Sequence, residues 1–191
     1  KQTLGQDHLL ESLGNINFKI PVQSFFQTNT KQAEKLIEIV RDFAGLEGGE
    51  TILDLYSGTG SIGLSLASQA KEVIGVEENQ PATELSVANA ELNGIKNFRA
   101  IAGKVEDVIS SLEGKFETII LDPPRPGVHK KALQTIGKIK PEKIVYVSCN
   151  PTSQKFDIDI LSSFGYQVQR CQPLDMFPHT PHIENVVLLQ I

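Results

Sequence analysis

A glycine-rich turn constrains the fold of this chain more than any other segment. The turn spans residues 54–63, reads DLYSGTGSIG, and lies between an apolar run and a helical pattern. A strand, a glycine turn and a helix in this order form the place where an open α/β sheet binds a nucleoside-bearing cofactor. Glycine is needed because the backbone turns sharply and a Cβ would keep the ligand away. Gly58, Gly60 and Gly63 also fit the G-x-G-x-x-G dinucleotide fingerprint, so this segment alone leaves the cofactor class open.

The rest of the chain alternates strand-like and helix-like segments. Apolar runs predict strands at 51–55, 72–77, 98–101, 117–121, 143–147, 166–172 and 185–190. Helical spacing predicts helices from Thr28 or Asn29 to about Phe43 and at 61–70, 80–92, 105–112, 129–138 and 152–163. This alternation indicates an α/β fold with a seven-stranded, mostly parallel sheet and helices on both faces. The last two strands have no helix between them, so we expect them to pair antiparallel. Upstream, the alternating segment 17–20 predicts a hairpin strand.

Composition narrows the class of protein. With 191 residues, 40% of them hydrophobic, the chain can bury one full core and is expected to form a single domain. No apolar run reaches membrane-spanning length and the start is not signal-like, so we expect a soluble, cytoplasmic protein. The net charge of −5 disfavours a large basic surface for nucleic acid. The chain opens on a polar stretch at Lys1, and we expect it to be a piece of a longer protein.

Two acidic residues frame the predicted cofactor turn. Asp54 opens the turn, and the second core strand ends in Glu77, about twenty residues later, where an acid accepts hydrogen bonds from ribose hydroxyls in either cofactor class. Glu78 is adjacent, but side chains alternate along a strand, which favours Glu77. The alternative for Glu77 is a solvated carboxylate at a strand end.

A proline-rich loop follows the fourth core strand. It reads DPPRPG and spans residues 122–127. Ligands of open α/β sheets bind beyond the carboxyl ends of the strands, so we expect Asp122 to point into that crevice. The prolines make the loop rigid because each fixes φ and lacks a backbone donor. A purely structural turn would also explain them.

Cys149 lies just past the fifth core strand, in the segment SCNP, and opens a predicted helix. Helix N-termini favour the thiolate, so we expect a nucleophile here, with a small buried side chain as the alternative. Cys171 lies in a predicted edge strand and receives no chemical role. The two cysteines have neither zinc spacing nor a disulfide framework.

The loop DMFPHTPHIE, residues 175–184, connects the last two predicted strands. His179, His182 and the acids of this loop allow a metal site as an alternative. The two histidines lie in a proline-interrupted loop without an evident third or fourth ligand, which disfavours metal. Because the loop should return over the same crevice, Glu184 is the better candidate for a general base.

Five motifs together resemble one family. They are FFQTN at 25–29, DLYSGTGSIGL at 54–64, DPPRPG at 122–127, SCNP at 148–151 and DMFPHTPHIE at 175–184. In this order they resemble the catalytic domain of the RNA uracil-5-methyltransferases, and more narrowly the ribosomal-RNA branch. The resemblance covers roughly residues 15–191 and implies a Rossmann-like class I methyltransferase fold.

The resemblance implies a reaction and a role for each matching residue. Cys149 would attack carbon 6 of a uracil, carbon 5 would take a methyl group from S-adenosylmethionine, and Glu184 would remove the proton at carbon 5. The implied cofactor-binding residues are Gln27, Asp54, Tyr56, Gly58, Gly60, Ser61, Glu77 and Asp122, with Asp122 also at the target base. The expected partner is RNA, with 23S ribosomal RNA as the specific expectation.

The resemblance also sets expectations about the domains of the chain, its cofactors and its partners. We expect residues 1–28 to be an extension from a preceding segment and residues 29–191 to be the catalytic domain. Members of the family carry an N-terminal RNA-binding barrel, and some hold an iron–sulfur cluster; we expect no metal or cluster in this piece, no membrane partner and a monomer. Basic residues follow Asp122: Arg125, His129, Lys130 and Lys131. We expect Arg125, Lys130 and Lys131 to contact substrate phosphates, although a solvated helix start is an equal alternative.

Three other functions compete with this prediction. A transfer-RNA uridine-5-methyltransferase differs only in substrate. An NAD-dependent oxidoreductase would use the glycine turn but leaves SCNP and DPPR unexplained. A non-catalytic cofactor-binding or RNA-binding module gives no chemical reason to carry both Cys149 and Glu184.

Overall fold

The computed structural model describes residues 7–22 and 26–191 and shows an α/β sheet with a small separate hairpin. Phe25 of the FFQTN motif and Lys1 lie outside the described residues. The strands are β1 (His8–Leu13), β2 (Ile16–Pro21), β3 (Thr51–Leu55), β4 (Glu72–Glu77), β5 (Phe98–Ala102), β6 (Thr118–Leu121), β7 (Lys143–Ser148), β8 (Gln167–Leu174) and β9 (Glu184–Gln190). The helices are α1 (Thr30–Ala44), α2 (Ser61–Leu66), α3 (Gln80–Leu92), α4 (Val105–Val108), α5 (Lys130–Ile139) and α6 (Pro151–Ser162).

The large sheet has the order β5-β4-β3-β6-β7-β9-β8. Strands β3 to β7 pair in parallel, whereas β9 runs antiparallel to both β7 and β8. This arrangement confirms the predicted seven-stranded sheet and its antiparallel end. It arises because each parallel pair needs a helical crossover, and β8 and β9 have only a loop between them.

Two apolar clusters cover the two faces of the sheet. One contains side chains of α4, α5 and α6, and the other contains side chains of α1 and α2. The predicted start of α1 is confirmed, because the side chain of Asn29 accepts a hydrogen bond from the Gln32 backbone and caps the helix. None of the helices that the structure describes is long and apolar enough to cross a membrane.

Two predicted helices are shorter than expected. The segment 61–70 ends its α-helix at Leu66 and continues as a 3-10 turn, where the Asn97 amide donates to the carbonyls of Ala67 and Ala70. The segment 105–112 is α-helical for four residues only. There, Ser110 and Ser111 donate their hydroxyls to carbonyls three residues earlier, which satisfies the helix end locally. Apolar spacing alone does not distinguish these short turns from a longer helix.

The hairpin β1–β2 is held on α3 by two asparagines. The Asn93 side chain accepts from the Asn17 backbone N–H and donates to its carbonyl, at 2.8 and 2.7 Å. The Asn89 side chain accepts from Lys19 N at 2.9 Å and donates to the Thr59 carbonyl of the glycine turn at 3.3 Å. The sequence predicted one hairpin strand at 17–20; the structure provides both strands and fixes them to the turn.

Candidate active site

Three predicted carboxylates lie on one face of the sheet at its carboxyl edge. In the ladder, Asp54 of β3 pairs with Gly75 of β4 and with Ile120 of β6. Glu77 and Asp122 lie two residues farther along those neighbouring strands. Because side chains alternate between faces, all three side chains project on the face covered by α1 and α2.

Cys149 and Glu184 lie opposite each other at the end of the β7–β9 ladder. The last pair of that ladder joins Ser148 to Asn185, so the next position on each strand brings Cys149 across from Glu184. Consistent with this placement, the Glu184 carboxylate is the charged group that most strongly raises the Cys149 pKa. The antiparallel end of the sheet therefore unites two residues that are 35 positions apart (184 minus 149).

Neighbouring carboxylates along this edge of the sheet raise one another's pKa. Burial, with smaller contributions from the charges of Glu184 and Asp54, raises the pKa of Asp122 to about 8. Burial also raises the pKa of Asp54 to about 7, against a hydrogen bond from the Gly63 backbone, with Glu77 as the neighbouring charge. Burial alone raises the pKa of Glu184. A chain of clustered carboxyls with raised pKa values is typical of a functional site.

The expectation that the helix start favours a thiolate is wrong for this structure. Burial is the main cause that raises the pKa of Cys149, and the carboxylates of Glu184 and Asp122 add to it. Arg125 is the neighbouring cation that lowers this pKa, but it does not outweigh the rest. The cysteine also lies one residue before the cap of α6, whose Asn150 side chain accepts from Thr152 N. The surroundings of Cys149 therefore favour its thiol form over the thiolate.

The glycine turn is held in place by the two acids that frame it. Glu77 accepts hydrogen bonds from Gly58 N at 3.0 Å and from Asn79 N at 2.8 Å. Asp54 Oδ2 accepts from Gly63 N at 2.9 Å, and a Cβ at position 63 would lie 2.7 Å from that oxygen. Gly63 is therefore needed for close packing of α2 on the strand. These bonds fix the turn before a ligand arrives.

The same turn leaves polar atoms and space for a ligand. Asp54 Oδ1 and Ser57 Oγ are buried and have no hydrogen-bond partner within the described part of the chain. Gly58 has a φ of 53°, and a Cβ built there would meet nothing within 4 Å. Since buried polar atoms are normally paired, these atoms indicate a ligand that brings its own polar groups.

The remaining predicted cofactor residues surround this turn less directly. Tyr56 has a φ of 65°, and its ring packs against the apolar cluster on the α4–α6 side. Burial raises its pKa to about 12, against a hydrogen bond from the His129 backbone. Ser61 is the first residue of α2 and is half-buried, as is Gln27. The Asn29 amide donates to the Met176 carbonyl at 3.1 Å, which joins the segment after Gln27 to the 175–183 loop.

The four basic residues do not form one cluster. Arg125 is exposed and close enough to Cys149 to lower its pKa. Lys131 forms an ion pair with Asp107 at 2.8 Å, and His129 caps α5 by accepting from Lys131 N. Lys130 is exposed and makes no ion pair with any described residue. The structure thus brings Arg125 to the site and directs Lys131 elsewhere.

Sequence reasoning missed Ser57, Gln32 and Gln154. The buried Oε1 of Gln32, in the first turn of α1, has no partner among residues 7–22 and 26–191. Gln154 is 1% exposed and lies on the face of α6 that also buries Asp157 and Leu161. A polar residue at a position spaced for burial was the available signal. The described residues contain no group of three or more His, Cys, Asp or Glu side chains suited to a metal, and His179 and His182 are exposed.

Comparison with known proteins identifies the family. The family model described as tRNA (uracil-5-)-methyltransferase matches residues 1–191. This chain belongs to that family. Its membership confirms the resemblance drawn from the five motifs and removes the NAD-dependent oxidoreductase as an alternative.

Curated relatives in this uracil-5-methyltransferase family are longer than the chain. A protein of Clostridium tetani is 49% identical over 186 residues, which cover 97% of this chain and 41% of that protein. One of Bacteroides thetaiotaomicron is 45% identical over 191 residues, covering 98% and 42%. Both are named uncharacterized RNA methyltransferase. The chain thus spans about two fifths of the length of these relatives.

Solved structures agree with the family and the fold. The tRNA (uracil-54, C5)-methyltransferase of Pyrococcus abyssi, in complex with S-adenosyl-L-homocysteine, has a TM-score of 0.87 and 39% identity; the match covers 99% of this chain and 46% of that one. The TYW2 protein of M. jannaschii, in complex with AdoMet, has a TM-score of 0.71 at 19% identity, over 100% of this chain and 88% of that one. The second match shows the fold alone.

Proposed function

We propose that this protein methylates carbon 5 of a uridine in RNA through a covalent adduct on Cys149, with S-adenosylmethionine as methyl donor. The observation that carries the proposal is the position of Cys149 and Glu184 directly beyond the last pair, Ser148 with Asn185, of one antiparallel ladder. A nucleophile and a base on opposite strand ends can reach two adjacent atoms of one flat ring. Family membership and the motifs around both residues support it.

The glycine turn fits the cofactor. Asp54 Oδ1 and Ser57 Oγ are unpaired and buried beside Gly58, and Glu77 lies where ribose hydroxyls are bound in this kind of sheet. The relative that is 39% identical was solved with S-adenosyl-L-homocysteine. When bound, S-adenosylmethionine supplies an electrophilic methyl group. Tyr56, Ser61 and Gln27 complete the proposed set around the turn, and Asp122 lies between it and the target base.

The two catalytic residues act in succession. Carbon 5 of uracil is a poor nucleophile, so Cys149 first loses its proton to solvent, and its Sγ then bonds to carbon 6 while the electrons of the double bond between carbons 5 and 6 move to give an enolate. Carbon 5 would then bond to the methyl group as the bond from that methyl group to the donor sulfur breaks, with S-adenosylhomocysteine as the leaving group. Glu184 removes the remaining proton from carbon 5, the bond from sulfur to carbon 6 breaks, and the double bond between carbons 5 and 6 returns.

The raised pKa values bear on the proposed role of each residue. Burial suits Glu184 to proton removal, because a carboxylate with a raised pKa is a stronger base. Cys149 begins as a thiol, and Arg125 is the cation that favours its ionised form. Both residues come from one chain, so we propose that a monomer suffices, acting in the cytoplasm where its RNA substrates are found.

Two classes of RNA are candidates. We propose ribosomal RNA first, on the resemblance of the DMFPHT loop to the ribosomal-RNA branch. Transfer RNA is the second candidate, favoured because the Pyrococcus abyssi relative is a tRNA enzyme.

The deciding experiment supplies the full-length protein with both substrates. Ribosomal RNA and transfer RNA are isolated from cells that lack the gene, incubated with labelled S-adenosylmethionine, and mapped for 5-methyluridine. We expect label at one uridine of ribosomal RNA; label in transfer RNA would select the second candidate. Cys171→Ser should behave as wild type. Absence of transfer to either RNA would overturn the proposal.

A further inference from the structure

The side chain of Gln154 connects the two strands that carry the proposed nucleophile and base. Its Nε2 donates to the Tyr146 carbonyl of β7 at 2.9 Å and to the Asn185 carbonyl of β9 at 3.2 Å. Its Oε1 accepts from Asn185 Nδ2 at 2.7 Å. The residue is 1% exposed, so these bonds are shielded from water.

The bonds are placed next to both reacting residues. Asn185 directly follows Glu184, and Gln154 lies on the helix that Cys149 precedes by two residues. The ladder between β7 and β9 ends at this point, since Ser148 and Asn185 form its last pair. The loop on the far side of Glu184 is largely exposed. The side chain of Gln154 therefore links β7 to β9 by hydrogen bonds at the end of their ladder.

The orientation of Asn185 is fixed from both sides. Its Nδ2 donates to Gln154, and its Oδ1 accepts from the Cys171 thiol of β8 at 3.3 Å. Asn185 and Glu184 project to opposite faces of β9, as neighbours in a strand do. Gln154 thus reaches Glu184 only through the backbone of Asn185, and it does not itself face the substrate side of the sheet.

We propose that Gln154 is a positioning residue that sets the location of the Glu184 carboxylate relative to Cys149. The inference rests on the proposed function, because it assigns Gln154 to the step in which Glu184 removes the proton. A shift of a catalytic group by about 1 Å costs about 100-fold in rate. Gln154 bonds to β7 at Tyr146, three residues before Cys149, whereas two of its bonds are to Asn185, directly beside Glu184. Loss of the Gln154 bonds should therefore affect mainly the last step.

The test separates the two steps in single-turnover reactions of the full-length protein. Gln154→Met keeps the length of the side chain and removes all three hydrogen bonds. We expect methylation of the RNA to stay within about threefold of wild type and product release to slow about 10- to 100-fold. Methylated RNA should then accumulate as a covalent complex on a denaturing gel. Gln134→Met, on the exposed face of α5, is the matched control and should release product normally.

A second variant guards against loss of folding. Asn185→Ala removes the side-chain partner but keeps the backbone carbonyl, so it should slow release in the same direction by a smaller factor. The double variant should be no slower than Gln154→Met alone, because the two side chains act through one contact.

Failure of this inference differs from failure of the proposed function. If wild type forms no covalent complex with RNA that contains 5-fluorouridine, the proposed function fails. If wild type forms it, but Gln154→Met slows methylation and release by equal factors, or slows neither, Gln154 is only structural and the inference fails.

Discussion

The acids at the ends of β3 and β4 accept backbone hydrogen bonds from other residues, whereas the groups at the ends of β6, β7 and β9 accept none from the rest of the described chain. Asp54 and Glu77 accept from Gly63 N, Gly58 N and Asn79 N. The side chains of Asp122, Cys149 and Glu184 have no hydrogen-bond partner on another described residue, and each has a raised pKa. One side of the site is assembled in advance, and the other side keeps its reactive groups unpaired.

This difference follows from what each side is proposed to do. A turn that binds a cofactor gains affinity when its backbone is ordered beforehand, because less conformational entropy is lost on binding. A nucleophile and a base must instead exchange protons with the substrate, and a permanent partner would compete with that exchange. Burial of an ionised carboxylate without a compensating partner is unfavourable for folding, so ionisation of Asp122 on the second side should lower stability.

The unpaired side predicts the largest effect. Glu184→Gln should lower turnover by about 10²–10⁴-fold, because the variant lacks the base that removes the carbon 5 proton. Methylation itself should persist, so methylated covalent RNA should accumulate on a denaturing gel. His182→Gln, in the exposed loop nearby, is the control. Turnover of Glu184→Gln at the wild-type rate would make another group the base, with His182 as the first candidate.

The pre-assembled side predicts a loss of cofactor affinity. Glu77→Ala should weaken S-adenosylmethionine binding by about 1.5–3 kcal/mol, the scale of a lost charge-assisted hydrogen bond. Part of that loss should come from the turn, since Glu77 also holds Gly58 N and Asn79 N. Calorimetry measures the affinity for S-adenosylmethionine in Glu77→Ala and in the control Glu78→Ala, an exposed neighbour. Unchanged affinity in Glu77→Ala would move the ribose contact elsewhere.

Stability against pH tests whether the unpaired side weakens the fold. The pKa of Asp122 is about 8 in the folded protein, against 3.8 as the ordinary value. The folded state therefore holds a proton that the unfolded state has lost between these pH values, and wild-type stability falls as pH rises through this window. Asp122→Asn cannot ionise, so its stability relative to wild type should rise by about 1–3 kcal/mol from pH 4 to pH 8.5.

Thermal or urea unfolding at the two pH values checks this expectation. Asp175→Asn, an exposed acid, should show no such trend. A relative stability of Asp122→Asn that is independent of pH would mean that Asp122 does not titrate in this window.

RNA binding should show the smallest effects and should differ between the basic residues. Arg125→Ala should raise the RNA concentration needed for half-maximal rate and reduce the dependence of log affinity on log salt concentration by about 0.7, the value for one lost phosphate contact on a single strand. Lys131→Ala should have a smaller effect, because Lys131 is paired with Asp107. Lys130→Ala/Lys131→Ala should leave S-adenosylmethionine binding unchanged. Equal effects of Arg125→Ala and Lys131→Ala would support the single RNA-binding cluster that the sequence predicted.

The sequence predicted the positions of those candidate site residues that lie at or just after the end of a strand. Asp54, Glu77, Asp122 and Cys149 were placed correctly at one edge because parallel strands separated by helices must end on the same side. The thiolate was predicted wrongly, since the pKa of Cys149 depends on burial and on Glu184, which the chain brings near only after folding.

Other features depend on hydrogen bonds between residues far apart in the chain, which local sequence patterns do not reveal. The contact of Gln154 with Asn185 joins positions 31 apart, and the hairpin contact of Asn93 with Asn17 joins positions 76 apart. Local spacing marks such residues as polar at buried positions but does not name their partners. The ion pair of Lys131 with Asp107 could not be predicted for the same reason, because it depends on the packing of α5 beside α4.

The most direct test of the account traps the adduct on the unpaired side. The full-length protein is incubated with S-adenosylmethionine and RNA carrying 5-fluorouridine at the target site, because the base cannot remove fluorine and the covalent complex persists. Peptide mapping by mass spectrometry should place the RNA on Cys149; Cys149→Ser should form no complex, and Cys171→Ser should form it normally. A complex that survives Cys149→Ser, or maps to Cys171, would contradict the account.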